Sequence, residues 1–278
     1  MSDAGATGAR EFSRRAVSGR ASRRTFFGVL ALLFAASATA TIVGCAAMSA
    51  MGEMPMPGGW AMSMAWLRMC GQTWPGVAAS FLGMWGVMMV AMMLPSLAPT
   101  LWRYRLAVGR TGETRLAWLT VLVGVGYFCV WTLFGVVAFA LGAVLAAVEM
   151  QLPALARVVP IAASGVVLSA GALQFTAWKA RHLTCCREAP GRARTLPASA
   201  GVALQHGLRL GLHCSCRCAG LTAILFVIGV MDLRAMAVVT AAITIERFAP
   251  DGERIARVVG VAIVAAGLCL IVRGALVQ

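Results

Sequence analysis

The chain has 278 residues, of which 60% are hydrophobic and 12% charged, with a mean hydropathy of +0.83. Ordinary soluble domains carry roughly 45–50% apolar and about 25% charged residues, so water is not the main solvent of this protein and a substantial soluble domain is excluded. A formal charge of +14 would suggest nucleic acid in a soluble protein, but here the Lys and Arg residues sit between long apolar runs, where they set orientation across a bilayer; nucleic acid is not an expected partner.

Spanning the hydrocarbon core takes about 20 largely apolar residues as helix, because lipid offers no partner to backbone polar groups. By that ruler the predicted spans are 25–48, 76–97, 116–148, 154–178, 204–230, 233–245 and 255–272. The expected fold is all-α: a polytopic transmembrane bundle of about seven helices with a cytoplasmic N-terminus. A basic tail, 1–24, precedes a single transmembrane domain, 25–278, with a Met-rich outer loop at 49–75 and a basic cytoplasmic loop at 179–208.

The first span follows Ser22-Arg23-Arg24-Thr25-Phe26-Phe27, a twin-arginine-like run, and contains Ile42-Val43-Gly44-Cys45, similar to a lipoprotein cleavage box. Both are read as parts of a first transmembrane helix with a basic cytoplasmic flank. The third span is long enough to tilt, project or kink near one of its glycines. The sixth is short, at about 20 Å for 13 residues, so a re-entrant helix is the alternative. Charge favours seven crossings. With the N-terminus inside, 19 Lys and Arg fall in cytoplasmic segments and four in outer ones, whereas removing the sixth span strands Arg247, Arg254 and Arg257 outside.

Methionine gives the first chemical signal. Twelve of the 16 Met residues lie between Met48 and Met93. Met48, Met51, Met54, Met56, Met62, Met64 and Met69 fall in or beside the outer loop, where Met54-Pro55-Met56-Pro57 cannot form a regular helix. Met84, Met88, Met89, Met92 and Met93 lie in the second span, and Met84, Met88 and Met92, four residues apart, share a face. Thioether sulfur is soft and uncharged, so it suits Cu(I) without deprotonation; the other use of such a stripe is to fill gaps in apolar packing.

Cysteine with histidine gives the second. Cys185 and Cys186 lie in the basic loop, Cys214, Cys216 and Cys218 low in the fifth span, and the only three histidines, His182, His206 and His213, accompany them. Thiolates and neutral imidazoles are ligands for both Cu(I) and zinc. On a helix Cys214 and Cys218 face the same way and Cys216 the opposite way. The expected metal site is therefore Cys214 and Cys218 closed by His182 and Cys186, with Cys216, Cys185 and His213 as alternatives. Cys129 and Cys269 are read as small apolar residues, and Cys45 with Cys70 as a candidate outer disulfide. Arg217, inside the fifth span, either reaches cytoplasmic water or offsets thiolate charge, with Glu246 as a candidate partner.

The run Trp85-Gly-Val-Met-Met-Val-Ala-Met-Met-Leu-Pro95-Ser96, Lys179 with Cys186-Arg187, Gly207-Leu-Arg-Leu-Gly211 before the cysteines, and Gly229-Val-Met231 with Glu246 resemble the predicted metal-binding integral membrane proteins called domain of unknown function 2182. The resemblance covers about 76–271. It implies that His182 replaces a family cysteine and that Cys214 and Cys218 match family cysteines. Arg217 stands where a further cysteine is usual, for which Cys216 is the available substitute, and Ala219 replaces a tryptophan.

The sequence thus predicts a multi-pass protein of the bacterial inner membrane that binds a soft metal, copper or alternatively zinc, and transports or handles it. A metallochaperone or another membrane subunit is a candidate partner. A membrane thiol oxidoreductase and a scaffold subunit are the other classes left open.

Overall fold

In a computed structural model of the chain, residues 3–50, 52–56, 60–63, 66, 68, 71–108, 112–176, 197–230, 232–249 and 252–277 are described. Seven helices account for nearly all of them: α1 (Asp3–Ala50), α2 (Trp74–Val108), α3 (Glu113–Gln151), α4 (Pro153–Leu173), α5 (Ala200–Ile228), α6 (Leu233–Phe248) and α7 (Gly252–Val277). The seven predicted spans map onto them in order. Six are long and apolar enough to cross a membrane; α6 falls short, its 16 residues reaching about 24 Å. The expected fold class, an all-α transmembrane bundle, is the one observed.

Two boundaries move in an informative way. Helix α1 continues back through the basic tail to Asp3, and α2 continues past Pro95 and Pro99 to Val108. The Met-rich stretch, where the Pro-interrupted run rules out helix, holds a short antiparallel hairpin, β1 (Glu53–Met56) with β2 (Trp60–Ser63), in which Met54 stands opposite Met62. Met56 is buried and Met54 half-buried, packed with Trp66 against Ala146 and Ala156, so these methionines dock the hairpin on the C-terminal end of α3 and the N-terminal end of α4.

Large apolar side chains such as Leu32, Leu133, Val238 and Val258 are exposed along the helices, the surface expected where lipid is the solvent. Hydroxyls inside the helices bond back to their own helix. Thr41 donates to the Ser37 carbonyl at 2.8 Å, Thr120 to Leu116 at 2.6 Å and Thr222 to Cys218 at 2.9 Å, leaving none of these groups unsatisfied in an apolar medium.

Contacts fix the helix directions. Helices α2 and α3 are antiparallel, since Arg105 pairs with Glu113 at 3.0 Å while, far along both, Trp85 Nε1 donates to the Trp131 carbonyl at 2.9 Å. Helices α3 and α5 run parallel: Arg115 donates to the Ala198 carbonyl, Gly126 faces Leu204 and Leu208, and Gly211 faces Tyr127 and Val130. Glycine is required at this seam. A Cβ on Gly126 would lie 2.6 Å from the Leu204 carbonyl oxygen, and one on Gly207 would fall on the Val123 carbonyl, so backbones approach as small-residue seams allow in membranes. Asp232 caps α6 by accepting from the backbone N–H of Arg234 and Ala235, both at 2.8 Å. At its other end Arg247 reaches Ser96 and Thr100 of α2. Helices α4 and α7 form an antiparallel pair on the far side of α5, meeting where Gly171 faces Ile263 and Val264 and Gly267 faces Val167 and Leu168.

Candidate metal site between α2, α3, α5 and α6

The glycine seam of α5 continues one turn at a time into two thiols. Gly207, Gly211, Cys214 and Cys218 are all buried on the face turned to α3, as spacings of three and four residues dictate. The Cys214 and Cys218 Sγ atoms lie 3.8 Å apart, and the Tyr127 hydroxyl of α3 donates to Cys214 Sγ at 3.0 Å. Two sulfurs each about 2.3 Å from a common tetrahedral metal would be about 3.8 Å apart, so the pair is already spaced to chelate.

Because α5 begins at Ala200, Cys214 falls at the middle of the helix. Between the rungs Arg105–Glu113 and Trp85–Trp131, Tyr127 comes level with about Met89, since both helices rise equally per residue. Met88, Met89, Met92 and Met93 are at most 4% exposed and share one buried cluster with Cys214, Cys218 and Tyr127. An aromatic layer of Phe81, Trp85 and Phe226, stacked at 6.0 and 5.6 Å, covers this cluster toward the hairpin.

A guanidinium from α6 is clamped on α2. Arg247 donates to Ser96 Oγ at 3.2 Å and Thr100 Oγ1 at 2.8 Å, while Ser96 spends its own proton on the Met93 carbonyl at 2.9 Å. Glu246, on the same turn as Arg247, is buried.

The residues singled out from sequence separate here. Cys214 and Cys218 come together. Cys216 is exposed on the opposite side, as its spacing predicts, lining a cavity with Gln174 and Arg217 beside α4. His213 is exposed, and His206 stacks on Tyr104 at 5.4 Å, two turns from Cys214. His182, Cys185 and Cys186 lie outside the described residues, as does Cys70, while Cys45 is a buried free thiol. The Met84, Met88, Met92 stripe divides: Met84 packs on α1, where a Cβ at Gly44 would meet its Sδ at 2.7 Å, and Met88 and Met92 enter the core. Among the described residues no group of three or more His, Cys, Asp or Glu side chains could hold a metal. Sequence reasoning passed over Tyr127 and took Arg247 only as a topological charge. Tyr127 left a usable signal, being one of two tyrosines in the chain and set in an otherwise apolar run.

No curated protein and no solved structure matches the chain. A family model described as PpoB2, copper chaperone, matches residues 82–270, which takes in the methionines of α2 and both thiols but leaves out α1 and the hairpin. That supports the expected copper-related class, though not the name domain of unknown function 2182. With more than half of its length matched, the chain belongs to the PpoB2 copper chaperone family.

Proposed function

We propose that the protein binds Cu(I) inside the bacterial inner membrane, N-terminus cytoplasmic, and hands it on, with Cys214 and Cys218 as the primary ligands. The observation that carries this reading is the pair of buried thiols 3.8 Å apart in a bundle whose family is described as copper chaperones. Soft thiolates and thioethers suit Cu(I), and sulfur from α2, Met89 or Met92, sits at the right depth to complete a low-coordinate site. Zinc asks for four N or S ligands, of which the described Cys and His residues bring two together. His182 and Cys186, in the cytoplasmic loop, are proposed as the next station, receiving the ion from the dithiol or delivering it there. Copper is cargo in this scheme, passed to a metallochaperone or a second membrane subunit.

The test is metal content by mass spectrometry of the detergent-solubilised full chain after Cu(I) loading. Wild type is expected to carry about one copper per chain at the dithiol and the Cys214→Ser, Cys218→Ser double variant to lose it. Equal copper in a folded double variant would remove the reading.

A further inference from the structure

We infer that the cavity between α4 and α5, on the face of α5 turned away from Cys214 and Cys218, binds the hydroxylated ring of a lipid-soluble quinol. The cavity has a volume of about 300 Å³; Ala170, Leu173 and Ala219 form apolar walls, and Gln174, Cys216 and Arg217 are its polar members. Two close approaches shape it. A Cβ on Gly220 would lie 3.3 Å from the Ala170 carbonyl oxygen, so α4 closes on α5 there, and one on Gly260 would lie 2.9 Å from Gln174 Cβ, so α7 holds the base of that side chain in place. Gln174 is only 5% exposed, and its Oε1 has no hydrogen-bond partner. A buried acceptor left unpaired is costly, and native structures keep one where something else supplies the donor.

Depth and size select the donor. Cys216 and Arg217 lie within a turn of the middle of α5, and Gly260 lies inside the membrane-spanning part of α7. Leu173 and Cys216 are exposed, so the cavity opens on the lipid-facing surface and its ligand arrives through the hydrocarbon. Water alone would need about ten molecules at ~30 Å³ each against walls that offer few partners, whereas an apolar cavity of about 150 Å³ already takes a benzene ring; this one takes a substituted ring. A phosphodiester headgroup suits Arg217 but brings no donor for Gln174, and it belongs at the interface rather than at mid-span. A metal cation would meet the guanidinium. A quinol hydroxyl satisfies both groups, its O–H donating to Gln174 Oε1 and its oxygen accepting from Arg217, whose five N–H donors allow this beside any other contact.

The experiment is isothermal titration of the full chain in detergent with decylubiquinol and, separately, with decylubiquinone, the heat of partition into empty micelles being subtracted. Wild type should bind one quinol per chain, about tenfold more tightly than the quinone, which has no hydroxyl to give. Gln174→Leu removes the acceptor and should level the two affinities. Ala219→Phe fills the cavity and should abolish binding of both forms, with copper content unchanged because the two thiols lie on the other face of α5. Folding is judged by circular dichroism melts. If Gln174→Leu does not fold, the dimethyl ether of the quinol tests the same bond on wild type and should bind no more tightly than the quinone. Wild type that shows no saturable binding, and so holds water only, overturns the inference. So does equal affinity for quinol and quinone, or undiminished binding in folded Ala219→Phe. None of these outcomes touches the copper reading, which fails only if the dithiol binds no Cu(I).

Discussion

The hydroxyl of Tyr127 donates to Cys214 Sγ at 3.0 Å across the seam where α3 and α5 run parallel. The contact exists because Gly207 and Gly211 let the two backbones approach, which delivers a phenol and a thiol to the same buried point. Replacing Tyr127 by Phe keeps the ring and deletes the donor. The expected cost is about 1 kcal/mol of stability, read as a small fall in melting temperature in detergent, with Cu(I) still bound. Loss of all copper in Tyr127→Phe would instead make the phenol oxygen a ligand.

The seam itself is tested by Gly207→Ala. The added methyl would fall on the Val123 carbonyl, so α5 must move away from α3. Overpacking of this kind costs about 1–3 kcal/mol, and the displaced helix carries Cys214 and Cys218 with it. Both melting temperature and Cu(I) affinity are expected to drop, whereas Gly165→Ala, where a Cβ meets nothing, should change neither.

Among the methionines of α2 the structure separates a packing role from a candidate ligand role. Met84 lies against Gly44 of α1, away from the thiols, so Met84→Leu should leave copper binding unchanged and cost less than about 1.5 kcal/mol. Met89 is level with Tyr127, and Met89→Leu conserves volume while removing sulfur. X-ray absorption of the copper-loaded protein should lose a sulfur scatterer in that variant. Equal spectra for the two variants would leave Met89 with packing alone.

Topology gives a fourth test, aimed at α6. If α6 crosses, the chain makes seven passes and its ends lie on opposite sides. A fluorescent protein fused before Met1 should fold in the cytoplasm, and alkaline phosphatase fused after Gln278 should be active outside. Activity confined to the cytoplasmic reporter at both ends would make α6 re-entrant.

The membrane bundle was legible in the sequence because the bilayer imposes a single length and a single polarity on every span, and runs such as 116–148 and 255–272 satisfy both without reference to any neighbour. The shared face of Cys214 and Cys218, and the opposite facing of Cys216, were legible for the same kind of reason, since helical periodicity is a local property. Which of the stripe methionines packs on α1, as Met84 does, was not legible, because a stripe of every fourth residue drifts around the helix and the neighbour each side chain meets depends on the packing of α1.

What the amino-acid order determined by itself was the solvent, the spans and the face of each helix. What only tertiary structure decided was the company those faces keep. Tyr127 reaches Cys214 from 87 positions away and Arg247 reaches Ser96 from 151 positions away. Such meetings depend on glycine seams and helix directions that couple distant segments, and no local pattern of residues encodes them.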